Sequence, residues 1–286
     1  MYAFNLRSVV VIFVMLKTKI LIIKKDIMKD IINEKLNEIE KEKGIKILFA
    51  IESGSRGWGF SSTDSDFDVR FVYVKPKKNY LYINEQPDFL DFPINNELDI
   101  NGWDLKKFFK LLYASNATPF EWLQSPVIYQ KEDNFFKTIK ELLPNYFCQQ
   151  TLVHHYLGLV HKKVEVLNEE NIRMKDLFYI YRSLLAARFA MNNNQFPPME
   201  FSKLMNLVSD KSLVDETNRL LNLKKNVGEK YIEKINQELT DYLKNSYKEF
   251  YNSIKIKRKG TFDIETLNET FYKIITDADD RFFEEK

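Results

Sequence analysis

The stretch AIESGSRGWGFSSTDSDFDVRFVYV, Ala50 to Val74, decides how this chain is read. An apolar run ends at Glu52, and a Gly-Ser pair follows at Gly54 and Ser55. Asp66 stands eleven residues after Ser55, and Asp68 two residues further, at the head of the run FDVRFVYV. That run is rich in Phe, Val and Tyr, so it reads as a strand. Residues two apart on a strand share a face. Asp66, Asp68 and Arg70 therefore lie on one side, and Phe67, Val69, Phe71 and Tyr73 on the apolar other. The two carboxylates stand ~6–7 Å apart along the backbone. Adjacent carboxylates repel, and one of them holds a proton unless a cation sits between them. Mg²⁺ meets that need, because it binds oxygen and keeps part of its shell for water and phosphate.

The Gly-Ser pair supplies the complementary half. A glycine after a strand lets the backbone turn tightly and approach a ligand closely. A helix or turn opening at Ser55 would aim N–H groups at an anion. The Ser55 hydroxyl and the Arg56 guanidinium would add donors, as would Arg70. Arg56 has a second reading, as an ion-pair partner of Asp64 or Glu52, and Arg70 one as the neutralising partner of an active-site carboxylate, the reading preferred for it. A phosphate-gripping turn beside a metal-holding strand is the apparatus of in-line nucleotidyl transfer. The two-ion form needs a third carboxylate. Asp99, between the apolar residues Leu98 and Ile100 in ELDIN, would supply it from a neighbouring strand and serve as general base. Asp104, just ahead of a helical run, is read as that helix's cap.

The 286 residues suffice for one large domain or two modest ones, and the 44% hydrophobic content supports a core. A net charge of +2 gives no global field that would point to nucleic acid or membrane. The single cysteine, Cys148, excludes a disulfide framework and a cysteine-type zinc site, in keeping with a reducing cytoplasm. His154, His155 and His161 have no carboxylate at ligand spacing beside them and are read as structural. In the first 25 residues, the apolar run Val9 to Leu16 is too short to span a bilayer and is followed by lysines. Arg7 ahead of it weakly resembles a signal peptide, but no small-x-small site follows. Residues 1–25 are read as an appendage of unknown role, and no membrane association is expected.

Periodicity predicts a helix from Asp26 to Lys43 that ends at Gly44, then strands at Ile45–Glu52, Phe67–Val74 and Glu97–Asn101. Residues 80–94 suggest a meander, and TPFEWLQSPVIY a compact turn-rich piece. Beyond Asp133 the pattern is helical, with helices at Gln149–Leu167, Arg173–Met191, Asp210–Leu223 and Tyr231–Ile256. The expected fold is α+β, with a small mixed β-sheet nucleotidyltransferase core at 26–125 and an α-helical domain at 126–286. In the helical half, Lys175, Tyr179 and Arg182 share a helix face that would close over a triphosphate or an acceptor. Trp58 and Trp103 are read as packing.

GSRGWGFSSTDSDFDV is similar to the signature of the DNA polymerase β superfamily of nucleotidyltransferases: strand, Gly-Ser, about ten residues, Asp-x-Asp. With LDINGWDLKK, FEWLQSPVIY and KDLFYIYRSLLAARFAMNNNQFPPMEFSKLM, the chain resembles one branch, an RNA-repair-pathway polymerase β family, over about residues 30 to 210. The resemblance implies that Gly54 and Ser55 form the phosphate-binding turn, and that Asp66, Asp68 and Asp99 bind two Mg²⁺ ions, with Mn²⁺ as the alternative. It implies transfer of a nucleoside monophosphate from a triphosphate such as ATP to a hydroxyl, with release of pyrophosphate. An RNA end is the implied acceptor. The alternatives are a protein hydroxyl, as in antitoxin-like members, and a non-catalytic nucleotide-binding or interaction module.

Overall fold

The computed structural model describes residues 26–93, 97–253 and 262–283. The appendage at 1–25 and the end of the expected helix at Ile256 lie outside these residues. The chain divides into two compact units, with the boundary after Ile45. The described part of the first is helix α1, residues 26–43, which follows the predicted helical period. Gly44 closes it in the left-handed region, at φ +58°, where glycine pays no Cβ penalty.

The second unit begins with strand β1, Lys46–Glu52, helix α2, Gly54–Trp58, and strand β2, Phe67–Val74. Strands β3, Phe89–Asp91, and β4, Leu98–Asp104, follow, then helices α3, Leu105–Tyr113, and α4, Ala117–Trp122, and strand β5, Ile128–Lys131. The five strands form one sheet in the order β3-β4-β2-β1-β5. The β2–β4 pair is parallel and the other pairs are antiparallel. Phe49 and Ile51 of β1 and Val72 and Val74 of β2 join Leu105, Phe108 and Leu112 of α3 in a single core. Phe49 anchors it against three rings, Phe108, Phe135 and Phe136, with centroids 5.8, 5.9 and 6.0 Å away. Val72 and Val74 lie on the same face of β2 as Asp68 and Arg70. That face is therefore polar at its N-terminal end and apolar where the helices cover it.

The remaining described residues are mostly helical: α5, Asp133–Leu142; α6, Gln149–His161; α7, Met174–Asn193; α8, Phe201–Leu204; α9, Lys211–Lys224; α10, Gln237–Ser253; and α11, Ile264–Ala278. Asp210 caps α9, accepting from the Ser212 N–H at 2.8 Å. Among the described residues no helix is long and apolar enough to cross a membrane.

The architecture is α+β, as expected, with local differences. Ile128 and Tyr129, the end of the piece read as turn-rich, form the edge strand β5 with Gln130 and Lys131, because their backbone pairs with Phe49–Ile51. The stretch at 80–94 contains the end of a 3₁₀ turn, Lys77–Leu81, and β3. Helix α6 stops at His161 and yields to a 3₁₀ turn at Val164–Asn168. Strands β6, Asn171–Arg173, and β7, Ile232–Lys234, make a two-stranded ribbon where helix starts had been expected. Three-residue strands are too short to show a period of two.

Candidate active site

Parallel pairing places Asp68 of β2 directly beside Asp99 of β4. Each is the second residue of its strand, so both stand at the same end of the sheet. Arg70, two residues along β2, turns its guanidinium back between them. Its Nη2 donates to Asp99 Oδ2 at 2.7 Å and to Asp68 Oδ1 at 3.1 Å, and its Nη1 to the Asp99 carbonyl at 2.8 Å. The neutralising role preferred for Arg70 is the contact it makes here. Burial pushes the Asp68 carboxyl up from its ordinary value; Arg70 opposes that rise and Asp99 adds to it.

The Gly-Ser turn lies against this pair. Gly54 opens α2 at φ +56°, and a Cβ there would lie 1.9 Å from Asp68 Oδ2. Glycine is thus required twice, by the backbone conformation and by the carboxylate packed on it. The turn is tied to β2 by the Ser53 N–H, which donates to the Asp68 carbonyl at 2.8 Å. Helix α2 has five residues, too short for the helix-end field expected at Ser55. The Ser55 hydroxyl is buried and bonded to Ser65 Oγ at 3.2 Å.

Arg56 bonds backbone carbonyls rather than the carboxylates of Asp64 or Glu52. Its Nη2 and Nε donate to the backbone carbonyls of Ser65 and Asp66, at 2.6 and 3.0 Å, and its guanidinium lies 3.8 Å from the centre of the Phe67 ring. It fixes the entry to β2. Asp66 precedes the strand and lies outside the Arg70 bridge, although its charge reaches Asp68. Among the described residues no three His, Cys, Asp or Glu side chains gather closely enough to hold a metal ion. Of the three expected carboxylates, Asp68 and Asp99 are joined through Arg70, and Asp66 stands at the entrance to β2. Asp68 and Asp99 present carboxylate oxygens, the ligand type a hard divalent ion takes, with a glycine cradle against Asp68.

On α7, Lys175 and Tyr179 line a cavity of about 320 Å³ together with Asp64, Lys163, Arg173 and Glu229. Lys175 bonds Glu229 at 2.7 Å. Burial raises the Tyr179 hydroxyl above its ordinary value; Lys175 opposes that, and Asp68 adds to it. Arg182 is elsewhere. It is 2% exposed, donates from Nη1 to Glu121 at 3.0 Å and from Nε to the Met199 carbonyl at 3.1 Å, and lies 4.4 Å over the Trp58 ring. Enclosed in this way it cannot meet a ligand as expected of it; it joins α7 to α4 and α2. Trp58 also packs edge-on against Tyr179 at 4.8 Å, and Trp103 lies at a 32° tilt against Trp122 at 4.1 Å, in keeping with packing roles.

Glu52 was missed as a site residue. It is 1% exposed, accepts from the Asp68 N–H at 3.0 Å and also receives the Tyr129 hydroxyl from β5. Burial pushes its carboxyl up to about 7, against the hydrogen bonds from Tyr129 and Asp68. An acid at the end of the otherwise apolar run LFAIE was the available signal.

These elements set an acidic pair on neighbouring parallel strands of a mixed sheet against a Gly-Ser turn. The chain belongs to the RNA repair pathway DNA polymerase beta family, whose model matches residues 28–273. It is 38% identical over 200 residues to the uncharacterized protein YcgL of Bacillus subtilis strain 168, covering 69% of this chain and 77% of that one. A comparison of structures pairs it with the crystal structure of a nucleotidyltransferase-like protein from Exiguobacterium sibiricum 255-15, at 11% identity and a TM-score of 0.29, over 88% of this chain and 90% of the other.

Proposed function

We propose that this protein transfers a nucleoside monophosphate from a nucleoside triphosphate to a hydroxyl, with release of pyrophosphate. The observation that carries the reading is the Asp68–Arg70–Asp99 bridge with Gly54 packed against Asp68. Asp68 and Asp99 would hold Mg²⁺, with Asp66 as a further donor at the strand entrance. When bound, the ion supplies positive charge to the phosphate oxygens and to the attacking hydroxyl. Arg70 opposes the rise that burial imposes on the Asp68 carboxyl and orients an oxygen of each carboxylate. Gly54 brings the backbone to the edge of the acidic pair, so a phosphate can approach without meeting a side chain. Lys175, whose charge reaches Asp68 from the wall of the α7 cavity, would offer an ammonium to the leaving phosphates. Asp99 accepts the proton of the attacking hydroxyl at its carboxylate.

The acceptor in this reading is an RNA end, and its support is the family's description. The net charge of +2 adds none. The test is incubation with labelled ATP and Mg²⁺, offering RNA and, separately, a cell lysate. Label in an RNA band that disappears with Asp68→Asn supports the proposal. Label in a protein band moves the acceptor to a protein hydroxyl. Triphosphate binding without label in any acceptor, unchanged by Asp68→Asn, reduces the protein to a binding module.

A further inference from the structure

The segment between α9 and β7 is pinned to the loop that links the Gly-Ser turn to β2. The Val227 carbonyl accepts from both the Thr63 N–H and the Thr63 hydroxyl at 3.2 Å, and the Glu229 N–H donates to Asp64 Oδ1 at 2.7 Å. Gly228 passes so close that a Cβ would lie 2.8 Å from Asp64 Oδ2. This anchoring is made by the backbone, and it delivers one side chain, Glu229, to a set of donors.

Ser65 Oγ donates to Glu229 Oε1 at 3.0 Å and Lys175 Nζ to Oε2 at 2.7 Å. Ser65 Oγ in turn accepts from the Ser62 N–H at 2.9 Å and from Ser55 Oγ at 3.2 Å. A second cation lies behind them: Lys224, 1% exposed, bonds Ser62 Oγ at 2.6 Å. The Ser65 hydroxyl and the Lys175 ammonium thus hold one carboxylate, and Lys224 stands one hydrogen bond behind, on Ser62, where the charge of Glu229 reaches it. Hydroxyls and lysines converging on an acceptor-only anion are what a phosphate group requires.

We propose that these groups form an anion seat for a phosphate of the nucleoside triphosphate, and that Glu229 occupies it until the nucleotide displaces it. The inference rests on the nucleotidyl-transfer reading and deepens it. It assigns Ser65, Lys175 and Lys224 to phosphate recognition and gives Glu229 the role of a competitor that thins out ligands too weakly charged to take its place. A phosphate group offers more acceptor oxygens and more charge than a carboxylate, so it wins the donors, whereas an uncharged nucleoside does not.

The experiment is titration of the full chain with a non-hydrolysable ATP analogue and Mg²⁺, and separately with adenosine, for the parent protein, Glu229→Gln and Glu229→Ala. Both variants keep the backbone N–H that anchors the segment to Asp64. The expected result is triphosphate affinity about tenfold tighter in both variants, the scale of losing one competing charged hydrogen-bond acceptor, with adenosine affinity unchanged. Adding Lys175→Met to Glu229→Gln should cancel the gain. Triphosphate binding that is unchanged or weaker in the Glu229 variants overturns the seat while leaving nucleotidyl transfer standing. An equal gain for adenosine overturns it as well, by making Glu229 a barrier to the nucleoside. If none of the three proteins binds triphosphate, the transfer reading falls and the seat with it.

Discussion

Gly54 holds two constraints at one Cα, and they can be separated by comparison with Gly59. Both sit at positive φ, +56° and +89°, but a Cβ at Gly59 meets nothing within 4 Å, whereas one at Gly54 strikes Asp68. Gly59→Ala should therefore lose only the left-handed backbone preference, about 1 kcal/mol. Gly54→Ala adds a steric conflict and should lose about 3 kcal/mol, with the Asp68 carboxylate forced from its position. Urea unfolding of the two variants checks this. Equal losses would mean that Asp68 does not rest on the turn. At this scale the sequence is most legible where chemistry repeats with the strand period. The alternation at Asp66, Asp68 and Arg70, and the lone Asp99 between apolar neighbours, put Asp68, Arg70 and Asp99 together before any fold was seen. Arg56 and Arg182 were not legible in this way. A guanidinium binds backbone carbonyls, rings and carboxylates as readily as phosphates, and only the fold determines which of these surrounds it.

Two acids on β4 have different surroundings. Asp99 faces Asp68, whereas Asp104 ends the strand and caps α3, accepting from the Lys106 N–H at 2.8 Å and from Tyr80 at 3.2 Å. Asp104→Ala should cost about 2 kcal/mol of stability through the lost cap and the unpaired buried partners, and leave pyrophosphate release per folded molecule unchanged. Asp104→Asn, which retains a capping oxygen, should cost less. Denaturation midpoints and turnover measured on the same samples separate the two effects. The strongly apolar strands β1 and β2 were legible to within a residue or two, and so were helices with a cap and a full amphipathic face, such as α9. The strands missed, β5, β6 and β7, are three or four residues long and are held by backbone pairing to a neighbour. Nothing in their side chains announces that pairing.

Over the whole molecule, the contacts that complete the site come from far along the chain. Lys224 and Ser62 are separated by 162 residues, and Glu229 and Ser65 by 164. No local pattern could have joined them, so this part of the site waited for the fold. The helical half also carries a titration that bears on global stability. Burial lowers the His155 ring from its ordinary value of 6.5; the Glu121 carboxylate opposes this, and Arg182 and Lys162 reinforce it. Below pH 6.5 the unfolded chain binds a proton at His155 that the folded chain refuses, so stability falls as the pH drops from 6.5 through the depressed folded value. His155→Gln should flatten that slope. Urea midpoints at pH 5.5 and 7.5 for both proteins check it, and an unchanged slope would remove His155 from the balance.

The acidic pair bridged by Arg70 is tested most directly by pyrophosphate release, measured with Mg²⁺ and each of the four nucleoside triphosphates in the presence of RNA. The parent protein and Asp104→Asn should release pyrophosphate with at least one triphosphate. Asp68→Asn and Asp99→Asn, folded to the same extent, should each lose at least about a hundredfold. Full release from Asp99→Asn, or release that is indifferent to Asp68, would contradict the assignment of these two carboxylates as the centre of the reaction.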